Sequence, residues 1–362
     1  EPGANPAHAL GIYLLDRWGN RELLYRDPQI GSTNPCPLRP RRAPPVLPGG
    51  VAEDCFAGKG GRILENSAIG NGAQYGEMVV ADVYEGLGDV PRGQIKELRI
   101  VQAFPKTTNI ANIPPIGMAG EENGRAVLGT VPVEQDGSAR FLVPAGKPVL
   151  FQALDEVGCA YQTMRSVTYV QPGEKVACIG CHEHRLTAPV SSLASPAALR
   201  RPASNIRPGP WDGRPFSYVE VVQPVLDQHC VRCHGGDKTE GKIDLTGALE
   251  GAFSRSYAAL MQDDGAFWQS GTNPDNAAKY FVPRFGARNQ VQITPPGGLY
   301  GARGSRLMKL LRDGHEGVKL GADELRRVAL WIDLNAIFYG VNLPDDQERI
   351  RRGELVGMPE VQ

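Results

Sequence analysis

Two short stretches decide how this sequence folds: Cys178-Ile179-Gly180-Cys181-His182 and Cys230-Val231-Arg232-Cys233-His234. Each is C-x-x-C-H, the signature for covalent attachment of a c-type haem. The chemistry sets the spacing. Two thiols add across the vinyl groups of the macrocycle, and the turn between them delivers the next residue, a histidine, to one face of the iron. The chain has seven Cys and six His, so two chance matches are a poor explanation. A zinc ribbon is the competing reading. It needs no histidine after each Cys-x-x-Cys knuckle, and its knuckles usually lie closer than the 48 residues between Cys181 and Cys230. Two covalently attached haem c groups follow, with His182 and His234 as proximal iron ligands.

The 362-residue chain is long enough for two or three domains, and 41% apolar residues suffice for real cores. Net charge is −1, so no basic field argues for nucleic acid and no charged tail for electrostatic tethering. Gly 44 and Pro 30 indicate a turn-rich chain. No apolar run reaches the length of a membrane span. Haem c is attached after export, so the expectation is a trimmed product in the periplasm or outside the cell. Cys36, Cys55 and Cys159 are left over. An oxidising compartment permits a Cys36–Cys55 disulfide, and the odd count leaves one thiol free, buried or on a metal.

The expected fold class is α+β and multidomain. Residues 1–50 hold a hairpin, with a Gly19-Asn20 turn inside 11–26, and a Pro- and Arg-rich connector. Residues 51–184 form an antiparallel β-sandwich-like domain ending in the first haem motif. Its strands are expected at Met78–Tyr84, Lys96–Phe104, on either side of an Asp136-Gly137 hairpin turn, at 149–154 and at 159–170. Residues 51–77 and 105–125 read as loop. Residues 185–215 have linker composition. Residues 216–345 read as a mainly helical cytochrome c domain, with helices at 216–229 (interrupted by Pro224), near 254–262, from Ser305, and over 322–338. Residues 346–362 form a tail.

For the second haem, Met308 and His315 are the candidate sixth ligands. His315 lies in Arg312-Asp-Gly-His-Glu-Gly317, a glycine-flanked loop from which a ring can swing toward iron, and is favoured. Met308, in Leu307-Met-Lys-Leu-Leu311, fits a core. Bis-histidine ligation gives a low potential and methionine a higher one. The first haem has no clear sixth ligand. His184 lies too near His182 to cross the same macrocycle, and His229 reaches it only if the haems are close. His8, Met164, Tyr161 and Tyr169 are weaker candidates. An open first iron binds small ligands, and any catalysis belongs at Cys178–His184.

The runs Gln152-Ala-Leu-Asp-Glu156, Gln162-Thr-Met-Arg-Ser-Val-Thr-Tyr-Val-Gln-Pro-Gly-Glu174 and Cys178-Ile-Gly-Cys-His-Glu183 resemble the middle domain of the hydrazine synthase alpha subunit family. Leu15–Asp27 and Pro37–Pro40 look like the segment before that domain, and Phe216–Gly235 with Leu307–Tyr339 like its C-terminal cytochrome c domain. The resemblance implies a bis-histidine second haem, matching His234 and His315, and a catalytic first haem whose motif histidine binds zinc while a downstream tyrosine takes the iron. It also implies a β-propeller upstream. Glu183, His184, Arg185 and Leu186 follow His182 here, with no tyrosine. That departure argues against hydrazine synthesis itself, and it makes His184 a ligand candidate and Cys36 or Cys55 possible zinc partners.

Three functions compete. The leading one is a di-haem cytochrome for electron transfer within a larger redox assembly, with redox proteins as partners and oligomerisation open. The second is a haem redox enzyme acting on a small nitrogenous molecule at an open first iron. The third is an interaction module stapled by haem.

Overall fold

A computed structural model describes residues 10–17, 19–29, 31–32, 35, 75–106, 113–118, 122–164, 166–181, 195–209, 213–236, 238–261, 280–283 and 300–359. His8, Cys36, Cys55, His182 and His184 lie outside them. The chain divides into two compact units, residues 1–49 and 50–362.

In the first unit, β1 (Ile12–Leu15) and β2 (Arg21–Tyr25) pair antiparallel. Asp16 shapes the turn by accepting hydrogen bonds from the Asn20 backbone N–H (2.9 Å) and Nδ2 (2.6 Å). Gly19, at φ 89°, supplies the left-handed backbone. The expected Gly19-Asn20 turn is therefore present.

Among the described residues the second unit contains seven longer strands: β3 (Tyr75–Val80), β4 (Glu97–Ala103), β5 (Arg125–Pro132), β6 (Ala139–Pro144), β7 (Val149–Leu154), β8 (Ala160–Thr163) and β9 (Lys175–Cys178). They form two sheets, β6-β3-β9 and β5-β4-β7-β8. Met78, Val80, Phe141 and Val143 on the first pack with Leu98, Ile100, Leu128 and Phe151 on the second. Burying each of these large apolar side chains is worth about 1.5–3 kcal/mol, which holds the two layers together.

Three expectations need correcting. β9 runs parallel to β3, so the smaller sheet is mixed and not wholly antiparallel. Asp136-Gly137 does not join a paired hairpin: β5 pairs with β4 while β6 pairs with β3, and the turn carries the chain from one sheet to the other. The first strand ends at Val80 and not at Tyr84, because Asp82 Oδ1 accepts from the Tyr84 backbone N–H at 3.0 Å and bends the chain.

The stretch expected as linker is partly structured. Within it, Arg207 bridges to Thr130 and Ser204 to Phe141, and Asp136 Oδ2 accepts from the Ala197 N–H at 2.7 Å. Its proline-rich composition misleads because it lies along strands without joining a regular ladder.

The helical part begins with α1 (Tyr218–Val221) and α2 (Gln223–His229). Pro224 sits in the first turn of α2, where its missing N–H costs nothing, so it starts a helix. α3 (Arg255–Met261) follows. The helix Arg306–Asp313 is capped by Ser305, which accepts from the Met308 N–H at 3.2 Å. The closing helix spans Ala322–Asp333, shorter than the expected 322–338, and Asn335 and Ala336 beyond it adopt φ of 62° and 51°. Trp331 is fully buried and meets Tyr218 edge-on at 5.0 Å. The tail is not loose: Pro344–Arg351 is a helix, and Ile350 and Val356 join the core around Trp331.

The four-stranded sheet is a partition. Leu98, Ile100, Leu128, Phe151 and Ala153 point to the core shared with the smaller sheet, whereas Val101, Val127, Leu150 and Cys159 belong to the helical core. The alternation of strand side chains thus serves two cores with one sheet. Among the described residues, no helix is long and apolar enough to cross a membrane.

Candidate haem sites

The second motif sits where α2 ends. Cys230 N–H donates to Leu226 O at 2.8 Å, and Cys233 and His234 N–H groups both donate to Cys230 O at 3.1 and 2.9 Å. This turn brings the two thiols and the imidazole to one place. Burial, and after it the neighbouring Cys233, push the Cys230 thiol pKa up. His234 Nδ1 lies 2.8 Å from the Glu240 carbonyl oxygen. A carbonyl only accepts, so Nδ1 carries the proton and Nε2 is left with its lone pair, the usual state of a metal-binding imidazole.

His315 faces it. Gly314 (φ 86°) and Gly317 (φ 77°) flank a tight loop closed by two backbone hydrogen bonds between His315 and Val318. The His234 and His315 rings have centres 6.1 Å apart and planes 22° from parallel. A metal–imidazole bond is about 2.0 Å and a ring nitrogen lies about 1.1 Å from its ring centre, so imidazoles on opposite sides of one metal have centres about 6 Å apart. The pair fits a bis-histidine haem. Met308 is 2% exposed within the helical core, as its apolar surroundings in the sequence suggested.

The first motif leaves the sheet at the end of β9. Beside it lies a hollow of about 60 Å³ lined by Val80, Leu98, Phe151, Ala153, Gln162, Met164, Cys178, Gly180 and Cys181. That is well below the roughly 300–1,000 Å³ of ligand pockets, so a macrocycle on the two thiols would extend beyond it. The two motif cysteines form one wall and the partition sheet the other, so a group attached to both thiols meets that sheet. The apolar lining suits one edge of a macrocycle. Gly180 is required by close approach: a Cβ there would lie 2.5 Å from both Glu85 Cβ and the Glu85 carbonyl oxygen.

The other candidates fall as follows. His229 Nε2 lies 2.7 Å from Glu324 Oε1, which ties α2 to the start of the closing helix. Tyr161 is 7% exposed and lies under the Arg303 guanidinium, 3.7 Å from its ring centre; Tyr169 is exposed. Met164 lines the first hollow. Cys159 is buried, and burial first, then Asp333 and Asp155, push its thiol pKa up to about 12, so it is inert as a nucleophile. Among the described residues, no group of three His, Cys, Asp or Glu could hold a metal ion; the proposed zinc partners lie outside them.

Sequence reasoning missed the charged contacts on the helical side of the partition. Arg99 donates to Gln152 Oε1 (2.8 Å), Gly158 O (2.8 Å) and Asp333 Oδ2 (3.4 Å). Asp333 also accepts from the Ala160 and Ala302 N–H groups, and Gln152 Nε2 donates to Asp333 O and Thr163 Oγ1. These bonds join β4, β7 and β8 to the closing helix. A polar residue in the middle of each strand was the available signal.

The family model described as the hydrazine synthase alpha subunit middle domain matches residues 93–183. A curated relative, hydrazine synthase subunit alpha of Kuenenia stuttgartiensis, is 24% identical over 266 residues, covering 54% of this chain and 32% of that protein. A solved structure of Kuenenia stuttgartiensis hydrazine synthase matches with a TM-score of 0.49 at 19% identity, over 75% of this chain and 44% of that one. The chain thus spans about a third of the length of the curated relative it matches. Residues 93–183 of this chain are similar to the hydrazine synthase alpha subunit middle domain.

Proposed function

We propose that this chain is a di-haem c-type redox protein whose first site, at Cys178 and Cys181, handles a small nitrogenous molecule while its second relays electrons. The reading is carried by one observation: His234 and His315 are held 6.1 Å apart with near-parallel planes, His234 already polarised by Glu240. When bound, haem c supplies a one-electron couple, kept low in potential by two imidazoles. The chain does the rest. Cys230 and Cys233 anchor the group, Glu240 fixes the tautomer of His234, and the glycine-flanked loop presents His315. At the first site, Cys178 and Cys181 would anchor a group beside Leu98, Phe151 and Ala153. The similarity to a hydrazine synthase subunit supports small-nitrogen chemistry there. It also supports a place in a larger assembly with redox partner proteins, and haem attachment implies export to the periplasm or beyond.

A purely electron-carrying role is the second reading, favoured by Met164, a thioether in the wall of the first hollow able to close that iron. His315→Ala tests the shared element. It should convert one of two haems from low to high spin in the absorption spectrum. Two low-spin haems in that variant would remove His315 from the site.

A further inference from the structure

A second cavity, of about 280 Å³, lies between the four-stranded sheet and the closing helix, and neither haem motif contributes to its lining. That volume is close to the lower end of the roughly 300–1,000 Å³ of ligand pockets. Arg99, Val127, Thr130 and Leu154 form its floor. Arg99 and Thr130 are directly opposed across β4 and β5, so their side chains share a face. It is the face that Arg99 turns to Asp333 on the closing helix. Pro208 forms a side wall, because backbone hydrogen bonds between Thr130 and Arg207, of 2.8 and 2.9 Å, lay that segment along β5. Gly129 permits this approach; a Cβ there would collide with the Arg207 carbonyl oxygen. Asp323, Arg326 and Leu330, spaced three and four apart on one face of the closing helix, form the roof.

The lining has an apolar half, made by Val127, Leu154, Pro208 and Leu330, and a charged half. Asp323 is already paired with Arg327 at 2.9 Å, and Arg99 with Asp333 at 3.4 Å. Arg207 and Arg326 share the single carboxylate of Glu97, at 3.1 and 2.9 Å. Two guanidiniums on one carboxylate leave one positive charge over. Arg99 also has a donor to spare. Its hydrogen bonds leave from Nη1 and Nη2, while Nε makes none among the described residues and is not sealed from the cavity. Burial above all lowers the Arg99 pKa; Asp333 opposes the shift, and the Arg326 charge adds to it. An anion in the cavity relieves both costs.

We propose that this cavity binds a small amphipathic monocarboxylate of the short-chain fatty acid class. Its carboxylate lies toward Arg99 Nε and Arg326, and its carbon chain lies against Val127, Leu154 and Leu330. The inference does not rest on the reading of either haem site. A bare anion forgoes the apolar contacts, and a neutral guest of the same length forgoes the charge match.

The test is isothermal titration calorimetry of the haem-loaded protein with hexanoate, hexanol and inorganic phosphate, for wild type, Arg326→Gln and Thr130→Phe. Far-ultraviolet circular dichroism checks that each variant is folded. Wild type should bind hexanoate at least about tenfold more tightly than hexanol or phosphate, with no change in the haem absorption spectrum. Arg326→Gln removes a partly exposed charge that donates hydrogen bonds; it should weaken hexanoate about three- to tenfold and leave hexanol within about twofold. Thr130→Phe fills the cavity from its floor and should weaken hexanoate at least about tenfold. No hexanoate binding by wild type, or hexanol binding as tightly as hexanoate, would overturn the proposal. So would hexanoate binding that both folded variants leave unchanged, or that shifts the haem spectrum.

Discussion

Replacing Asp333 by Leu should be among the most destabilising single changes in the chain. Asp333 is fully buried, and its carboxylate accepts from Arg99, Ala160 N–H and Ala302 N–H. Removing it strands three buried donors, one of them a guanidinium 4% exposed. Breaking the buried ion pair costs about 3–5 kcal/mol and each of the two orphaned N–H groups about 1–3 kcal/mol, so the loss should be at least about 5 kcal/mol. Arg99→Met should cost a similar amount, since it leaves the carboxylate uncompensated. The double variant should cost distinctly less than the sum, because it removes both charges. Denaturant unfolding of the haem-loaded protein, followed by far-ultraviolet circular dichroism, gives the cycle. Strict additivity would refute the coupling.

The same carboxyl makes a pH prediction. Burial, opposed by Arg99 and by the Ala302 and Ala160 N–H groups, raises the Asp333 pKa to about 6 from its ordinary 3.8. The native state then holds that proton more tightly than the unfolded chain. Its contribution is fully present below the unfolded pKa and is lost as pH rises through about 6. The double variant should lose that fall in stability.

Other outcomes follow from the sites. Gly180→Ala forces a Cβ onto Glu85, so the denatured variant should carry one covalent haem by intact mass; two haems would show that the turn has room. Met308→Leu should leave both haem spectra unchanged and cost less than about 1.5 kcal/mol as a volume-conserving core swap; a change of spin state would make Met308 a ligand. Glu324 has a lowered pKa: burial opposes the shift, but the Gly321 N–H and His229 outweigh it. Its contribution is present above its ordinary pKa of 4.5 and is lost as pH falls through the depressed one. Glu324→Gln should therefore flatten the acid side of the stability profile, and an unchanged slope would place the loss elsewhere.

The approach of His234 and His315 was legible in the sequence because the parts are local signals. Cys230, Cys233 and His234 follow one helix, and His315 stands between two glycines. The β4, β7 and closing-helix elements were legible too, from strand alternation and helical periodicity. Strand pairing was not. The turn at Asp136-Gly137 looks the same whether it closes a hairpin or moves the chain between sheets, and only the partners of Phe141 and Val131 decide. The partition role of the four-stranded sheet was hidden for a related reason. Gln152 and Thr163 read as interruptions of an apolar strand until Asp333, 181 residues beyond Gln152, is seen bonded to it.

The most direct test of the account is the electron paramagnetic resonance spectrum of the oxidised protein before and after adding hydroxylamine or cyanide. Near-parallel imidazoles should give one rhombic low-spin signal from the His234–His315 haem, untouched by either ligand, and a second haem signal that shifts. Two low-spin signals that ignore both ligands would contradict an open first site, and the absence of a ligand-indifferent low-spin signal would contradict the bis-histidine second one.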